Sequence, residues 1–318
     1  MDDAELFLGF GLLAITAINS AGLFFALRKI NPPKPNGKQE SEDQEEEENE
    51  PSEDEEADEA EASSEHEAEF KVPTTKAGIL AWRQRIIEDL ERERGTRVLT
   101  MIHKKELWTE PGGDQEIGIE DTETVLQKMR KIPPDVPIDF IIHTPGGYAL
   151  AAQMMAMAIK FHPSKVTVMV PFYAMSGGSL MTLAAGEIRM EKYSVLGPVD
   201  PQIPTPDGMY PAGSITNLAK TKPIQNITDR MLIMSDVANL EIENAKAFVM
   251  WLLQEKMGQE QAERVADFLA RGYMSHATPI TLDVARAIGL NVVEGIPDKV
   301  YELFKTFAFS GQPYRRHG

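Results

Sequence analysis

Two strand-turn-helix patterns between residues 138 and 186 constrain the fold of this chain more than any other feature. In the first, the apolar run 138–143 enters the glycine turn TPGG at 144–147 and continues into a helix-like stretch. In the second, the β-rich run 166–174 ends in MSGG at 175–178 and passes into an Ala- and Leu-rich stretch. Each pattern is typical of a strand, a tight turn and a helix. Strands that alternate with helices predict an α/β fold with a parallel sheet and reactive groups at the carboxyl ends of its strands.

The second turn places Ser176 at the junction of its strand and its helix. There the first helical N–H groups have no partner within the helix, and the helix dipole favours negative charge. In the first turn, Gly146 and Gly147 have no Cβ, so their N–H groups can approach a substrate carbonyl and hydrogen-bond the charge that develops on it. One nucleophile and two such donors are the minimum for acyl transfer.

Four segments in a fixed order resemble the Clp-protease/crotonase superfamily and, within it, the signal peptide peptidase A class, peptidase family S49. The most similar branch is called serine dehydrogenase proteinase. The segments are 144–147 (TPGG), 174–178 (AMSGG), 194–202 (SVLGPVDPQ) and 285–290 (ARAIGL), and the likeness covers roughly residues 75–300. The resemblance implies a Clp-protease/crotonase-like α/β fold of repeated β-β-α units, serine peptidase activity and a homo-oligomeric ring.

The resemblance also implies a set of site residues. Ser176 is the expected nucleophile because the serine of the family directly precedes two glycines, and the amides of Gly146 or Gly147 and of Gly177 are expected to hold the oxyanion. The base of the family is a lysine in the segment ahead of a long helix. Lys222 is preferred there, because a short turn leads from it into the helix, and Lys220 is the alternative.

Other side chains near the turns have competing interpretations. Ser179 lies one helical turn after the nucleophile and is expected on the helix surface or in a capping role. His143 suggests a Ser-His-Asp triad with Asp139 or Asp200, but alternation sends His143 and Thr144 to opposite sides of their strand. The other histidines, at positions 66, 103, 162, 276 and 317, show no spacing that supports a triad. Asp200 is either a turn residue that bonds its own backbone or a residue that shapes the substrate channel.

The sequence predicts no metal and no cofactor. The chain contains no cysteine, and it has neither an HExxH motif nor a cluster of Asp and His at ligand spacing. No GxGxxG turn follows a strand, and no phosphate-binding GxxxxGK[ST] motif occurs, so neither dinucleotide chemistry nor energy-driven unfolding is expected.

Residues 6–27 form an uncharged stretch of 22 residues, long enough to cross a membrane core at about 1.5 Å per residue. The chain opens with acidic residues and lacks a small-x-small cleavage site, so we expect a retained single-pass anchor in the lipid bilayer. Four basic residues at 28–38 follow the stretch and none precedes it. The positive-inside rule therefore places the catalytic domain in the cytoplasm.

The net charge of −18 is concentrated in one segment. Residues 40–69 contain eighteen Asp and Glu and no Lys or Arg; subtracting these from the 50 acidic residues of the chain leaves 32, equal to its 32 basic residues. The acidic segment cannot bury enough apolar surface to fold, and the neutral remainder gives no electrostatic case for nucleic-acid binding. The predicted organisation is an anchor at 1–30, a disordered acidic linker at 31–70 and a Clp/crotonase-like peptidase domain at 71–318.

Three further expectations concern the elements of the globular part. A helix from about 75 to 94 should bury an apolar side, formed by Leu80, Ile86, Ile87 and Leu90. The proline-rich segment 187–227 is predicted to be irregular. A long helix capped by Thr228 should follow it.

The function that these patterns favour is that of a membrane-anchored serine endopeptidase, similar to signal peptide peptidase, with a Ser176/Lys222 dyad. Its substrates would be peptides or membrane-protein segments. One alternative is a catalytically silent membrane scaffold of the same fold. Another is a crotonase-like acyl-CoA enzyme, against which the membrane anchor and the Ser-Gly-Gly turn both count.

Overall fold

A five-stranded parallel sheet organises the part of the chain that the computed structural model describes, residues 73, 75–106 and 116–307. In chain order its elements and their neighbours are α1 (Lys76–Arg94), β1 (Arg97–Ile102), α2 (Ile119–Met129), β2 (Ile138–His143), α3 (Ala149–Phe161), β3 (Val166–Val170), β4 (Tyr173–Ala174), α4 (Gly177–Ala184), β5 (Glu187–Met190), β6 (Val195–Leu196), β7 (Gln202–Thr205), β8 (Gly208–Pro211), α5 (Ala212–Thr221), a 3₁₀ turn (Ile224–Asn226), α6 (Asp229–Met257), α7 (Gln259–Ala270), β9 (Ile280–Thr281), α8 (Leu282–Ala287), β10 (Val292–Glu294) and α9 (Asp298–Phe304).

The large sheet has the strand order β1-β2-β3-β5-β10, and every neighbouring pair is parallel. All six residues of β2 are buried, as expected of a parallel strand that is covered on both faces. Because the strands are parallel, their carboxyl ends meet at one edge of the sheet. The first glycine turn directly follows β2 at that edge, and the second follows β3 after the short strand β4.

The two faces of the sheet pack against different helices. Phe140 and Ile142 of β2 belong to the larger core, together with residues of α2, α3, α4, α6 and α7. Ile141, which alternation turns to the other face, belongs to a smaller core with residues of α1 and α9. The large sheet therefore separates two cores.

A second, three-stranded sheet stands at the edge where the glycine turns are found. Its order is β4-β6-β9, with β4 and β6 parallel and β9 antiparallel to β6. These strands are two residues long, so long-range pairing, rather than local sequence preference, holds them in place.

The helix α1 begins and ends where its capping residues predict. Thr75 accepts a hydrogen bond from the Gly78 N–H at its N-terminus, and Gly95 takes the left-handed conformation at its C-terminus. The buried side of this helix carries Ile79, Trp82, Ile86 and Leu90. The expectation for Leu80 was wrong, since its side chain is 41% exposed. Ile79 and Trp82 continue the stripe of Ile86 and Leu90 at three- and four-residue spacing, which excludes Leu80.

The prediction that residues 187–227 are irregular was also wrong. The segment contains four short strands and helix α5. The strands β7 and β8 form an antiparallel hairpin, and α5 packs against the N-terminal half of α6 through a small core of its own, formed by Ala212, Ile215, Ala238 and Ile242.

The predicted membrane helix at 6–27 and the predicted acidic linker at 31–70 lie outside the described residues. Among the helices within 75–106 and 116–307, none is both long enough and apolar enough to cross a membrane.

Candidate active site

Ser176 has an unusual backbone conformation. Its φ of 48° makes it the single non-glycine residue with positive φ in the described part of the chain, and its ψ is −114°. Such a conformation costs on the order of 1–3 kcal/mol and persists only where the surroundings enforce it. Here they do so through two hydrogen bonds, from Met175 N to Thr144 O at 3.0 Å and from Gly178 N to Met175 O at 2.7 Å. At the junction of β4 and α4, the backbone of Ser176 therefore has neither the strand nor the helix conformation.

The Gly146–Gly147 turn is pressed against this serine. A Cβ on Gly146, which has φ of 110°, would lie 2.8 Å from the Cβ of Ser176. A Cβ on Gly147 would lie 2.4 Å from the backbone N and O of Ile117. A side chain at Gly146 would push the serine turn away, and one at Gly147 would push away the Ile117 backbone, so both glycines are required by close approach.

The geometry of this turn decides which amides can hold an oxyanion. The N–H of Gly146 donates to Thr144 Oγ1 at 3.1 Å, so it is already in use. The carbonyl of Gly146 accepts from Ile117 N at 2.7 Å. Since the peptide is trans, the N–H of Gly147 points to the opposite side. The nitrogen of Gly147 lies 3.7 Å from the place that a Cβ of Gly177 would take, next to the start of α4.

The amide of Gly147 therefore lies next to Gly177, the residue that follows the nucleophile. Neither the Gly147 N–H nor the Gly177 N–H finds a hydrogen-bond acceptor within the described residues. Of the three amides that the sequence proposes, Gly146 serves the turn itself, and the other two are available to a ligand.

Asp200 and His276 form a carboxylate–imidazole pair. Asp200 Oδ1 is 2.7 Å from His276 Nδ1, and Gln202 Nε2 donates to Asp200 Oδ2 at 2.7 Å. The side chain of Asp200 is 1% exposed, whereas that of His276 is 32% exposed. A buried carboxylate that accepts from Nδ1–H fixes the ring orientation and leaves Nε2 as the free nitrogen.

The small sheet brings the pair and the serine to the same end. Ala174 pairs with Leu196 and Leu196 pairs with Ile280. Ser176 follows β4, Asp200 follows the parallel strand β6, and His276 precedes the antiparallel strand β9, so all three segments leave this sheet at one edge.

Gly197 makes the contact between the Asp200 segment and the nucleophile. A Cβ on Gly197 would lie 3.3 Å from Ser176 N and 2.6 Å from the end of the Met175 side chain. Ser176 Oγ makes no hydrogen bond to a side chain of residues 75–106 or 116–307, and such catalytic contacts often tighten only when substrate is bound.

Ser179 has a structural role. It is buried, its hydroxyl donates to Ala174 O at 2.8 Å, and it accepts from Gly197 N at 2.9 Å. Ser179 therefore ties the nucleophile turn to the Asp200 segment, and it lies inside the protein instead of on the helix surface.

The two candidate lysines are exposed. Lys220 lies in the last turn of α5, and Lys222 is the residue that ends this helix. Within the described part of the chain, neither side chain makes a hydrogen bond or an ion pair, and no hydrogen bond joins either one to Ser176. The Ser176/Lys222 dyad therefore stays a prediction.

His143 lies in an aromatic pocket on the face of the sheet that packs against α1 and α9. Its ring is 4.1 Å from that of Tyr173 and 5.2 Å from that of Phe304, centroid to centroid. Burial, and next the nearby charge of Lys104, lowers the pKa of His143 to about 4. Thr144 faces the other side, toward Gly178. His143 is therefore a neutral core residue that faces away from the nucleophile.

No group of three or more His, Asp or Glu side chains in residues 75–106 and 116–307 could hold a metal ion. The sequence interpretation rejected His276 because its spacing supported no triad. No local motif marks it, and the signal available was the order Ser, Asp, His along the chain, which becomes meaningful once β9 pairs with β6.

Two relatives are similar over most of this chain. The uncharacterized protein MJ1495 of Methanocaldococcus jannaschii is 45% identical over 227 residues, which cover 71% of this chain and 76% of that protein. The uncharacterized protein MJ0137 of the same organism is 42% identical over 239 residues, 74% of this chain and 81% of its own length.

Two solved structures are also similar at low identity. One is the 1510-N membrane-bound stomatin-specific protease in a serine-to-alanine form, 16% identical, with a TM-score of 0.39 over 60% of this chain and 79% of that one. The other is ClpP1 from Listeria monocytogenes, 19% identical, with a TM-score of 0.39 over 65% of this chain and 96% of that one.

A family model described as ClpP-like SDH-type serine proteinase matches residues 70–317. This match covers more than three quarters of the 318 residues, and it confirms both the predicted family and the predicted α/β fold with a parallel sheet. The chain belongs to the family of ClpP-like SDH-type serine proteinases.

Proposed function

We propose that this protein is a serine peptidase in which Ser176 is the nucleophile, His276 is the general base and Asp200 orients the histidine. The observation that carries the proposal is the 2.7 Å contact between Asp200 and His276 at the same edge of the small sheet as the strained serine. Membership of a serine proteinase family supports the reaction class. The partly exposed His276 ring can meet a substrate, and the buried Asp200 can stabilise the imidazolium that forms.

The proposed reaction has two halves. Ser176 Oγ attacks the peptide carbonyl while its proton passes to His276 Nε2, and the charge that develops on the carbonyl oxygen is bound by the amides of Gly147 and Gly177. His276 then gives the proton to the leaving amine, and the C–N bond breaks to leave an acyl-enzyme. A water molecule, deprotonated by the same histidine, hydrolyses the ester and restores the serine.

A Ser176/Lys222 dyad, with Lys220 as the alternative base, is the competing proposal. It rests on the resemblance to the signal peptide peptidase A class. A lysine can serve as a base near neutral pH when burial lowers its pKa by several units, so the exposed Lys222 would have to become covered, for example by a neighbouring copy in an oligomer. The Asp200–His276 pair is already formed in the described part of the chain, and for this reason we prefer it.

The wider role that we propose is cleavage of peptides or membrane-protein segments by an enzyme that residues 6–27 hold at a membrane, with its catalytic domain in the cytoplasm. The length of the uncharged stretch and the basic residues after it support this part of the proposal.

We also propose a homo-oligomer. On α6, Ile233, Val237 and Leu240 share one helix face and are 64%, 44% and 64% exposed, which is unusual for aliphatic side chains grouped together. A stripe of this kind fits a surface that a second copy covers.

Active-site labelling tests the peptidase proposal directly. A fluorophosphonate should label the protein at Ser176, as mapped by peptide mass spectrometry, because only an activated serine reacts. Ser176→Ala should abolish labelling, whereas Ser214→Ala, a change at an exposed serine of α5, should leave it intact. A folded wild-type protein that takes up no probe and cleaves no peptide would favour the silent scaffold.

A further inference from the structure

The Gly146–Gly147 turn is held from behind by a small polar network. Thr144 is fully buried, and its hydroxyl oxygen accepts the N–H of Gly146 at 3.1 Å. The same oxygen lies 2.7 Å from His103 Nδ1. His103 follows β1, its side chain is 9% exposed, and no property of the sequence around it marks a role.

A second arm of this network reaches the other side of the turn. Asp121 Oδ2 accepts the N–H of Gly118 at 2.9 Å and lies 3.6 Å from His103 Nε2. Gly118 continues directly from Ile117, whose N–H and carbonyl bond Gly146 O at 2.7 Å and Tyr148 N at 2.9 Å. His103 and Asp121 therefore touch both segments between which the glycine turn is clamped.

The distances assign the protons of this network. The Asp121 carboxylate, 3.6 Å from His103 Nε2, can only accept a hydrogen, so it favours the neutral ring that carries its hydrogen on Nε2, and the Thr144 hydroxyl then donates to Nδ1 at 2.7 Å. Nδ1 then accepts, and the hydrogen of the neutral ring lies on Nε2, facing the Asp121 carboxylate. Burial lowers the pKa of His103, which favours this neutral ring over the imidazolium.

We propose that His103, acting through Thr144, is a positioning residue for the oxyanion site. The hydroxyl turned toward His103 presents its lone pair to the Gly146 N–H, and this bond, together with the bond from Ile117 to the Gly146 carbonyl, fixes the plane of the Gly146–Gly147 peptide. The direction of the Gly147 N–H follows from that plane. The inference rests on the proposed peptidase function, because the oxyanion donor is the element that it positions.

Matched substitutions separate this role from packing. The methyl group of Thr144 packs against Gly178, where a Cβ would lie 2.5 Å from it. Thr144→Val keeps the shape but removes the hydroxyl, whereas Thr144→Ser keeps the hydroxyl but removes the methyl. His103→Asn keeps an acceptor for the hydroxyl, and His103→Leu removes it.

The first measurement is peptide hydrolysis by the full chain. Thr144→Val and His103→Leu should lower kcat by about 10- to 100-fold with KM changed little, because a displaced oxyanion donor is felt mainly in the transition state. Thr144→Ser and His103→Asn should recover kcat to within about threefold. The proposal is overturned if kcat falls in Thr144→Ser, which lacks the methyl group, and not in Thr144→Val, which lacks the hydroxyl. It is also overturned if kcat falls equally in all four variants.

The second measurement does not depend on activity. In ¹⁵N NMR spectra, His103 should show an unprotonated, hydrogen-bonded Nδ1, and the Gly146 amide proton should exchange faster in Thr144→Val than in Thr144→Ser. A ring protonated at Nδ1, or unchanged exchange of Gly146, overturns the network even if the enzyme is active. An inactive wild-type protein with the expected spectra would instead contradict the proposed peptidase function, while the hydrogen-bond network itself would be confirmed.

Discussion

At the scale of single residues, the Asp200–His276 pair distinguishes the two candidate bases. If His276 is the base, His276→Asn and Asp200→Asn should each lower kcat/KM by on the order of 10³-fold or more, since loss of the base or of its orienting carboxylate is severe in such triads. Lys222→Met and Lys220→Met should stay within about threefold of the wild type. Initial rates on an unstructured peptide, with circular dichroism to show folding, check this. An inactive Lys222→Met beside an active His276→Asn would establish the lysine dyad instead.

His143 gives a residue-scale prediction about acid stability. Its pKa is lowered from 6.5 to about 4 in the folded protein because the ring is buried. The unfolded chain therefore binds more protons between these two values, and the free energy of unfolding falls as the pH falls through this window. The group's contribution is complete above pH 6.5 and amounts to about 3 kcal/mol at most.

Urea denaturation at several pH values between 4 and 7 measures this effect. His143→Phe, which fits the aromatic surroundings, should unfold with a shallower pH dependence than the wild type, and the slope that persists should belong in part to His103, whose pKa is also lowered. Parallel curves for the two proteins would contradict the assignment.

The residues that sequence could predict are those whose role is local. Ser176 and the glycine pair are marked by turn chemistry within a few positions of one another. The pairing of the two-residue strands β6 and β9, about 80 positions apart, brings His276 to Asp200. The hydrophobic periodicity of the sequence does not predict a contact between strands as short as these. The use of the Gly146 amide by Thr144 is likewise a side-chain hydrogen bond that only the folded turn reveals.

At the scale of elements, the same distinction holds. The helix α1, Lys76–Arg94, has the predicted bounds to within one residue, and Thr228 caps α6 by accepting the N–H of Met231 at 3.3 Å. These elements are long or carry cap signals. The strands between residues 187 and 211 are short and carry no cap signal. The prolines of that segment therefore led to the prediction that it is irregular.

Lys256 supports the helix that follows the nucleophile. Its ammonium group donates to Leu183 O at 2.7 Å and Ala185 O at 2.5 Å, at the C-terminal end of α4. Lys256→Met should lower the free energy of unfolding by about 1–3 kcal/mol, because two buried carbonyl groups lose their donor. Lys131→Met, at an exposed position after α2, should change it by less than about 0.5 kcal/mol. Urea denaturation of both variants checks this, and equal stability would show that the carbonyls find other donors.

At the scale of the whole molecule, the alternation of strands and helices was sufficient to predict the parallel sheet, while the small mixed sheet that completes the site was not foreseen. The exposed stripe on α6 makes the assembly testable. Light scattering of the chain truncated to residues 71–318 should give a mass that is a multiple of the monomer mass. Ile233→Glu with Leu240→Glu should reduce that mass, because burying two carboxylates in an apolar interface is costly.

Leu80→Glu provides the control for this experiment. Leu80 is 41% exposed on α1, on the opposite side of the large sheet from α6, and a charge there should leave the mass unchanged. A truncated wild type that is monomeric at micromolar concentration and still cleaves peptides would refute the oligomer.

Because β9 pairs with β6 from far along the chain, the proposed site can be completed only late in the synthesis of the protein. On the proposed assignment, one hundred residues separate Ser176 from His276, and at about 5–20 residues per second the ribosome needs several seconds to add them. Throughout that interval the serine has been synthesised but its base has not. On this assignment, the nascent chain is inert during the interval in which its own unfolded segments, and the chains emerging from neighbouring ribosomes, are most easily cut.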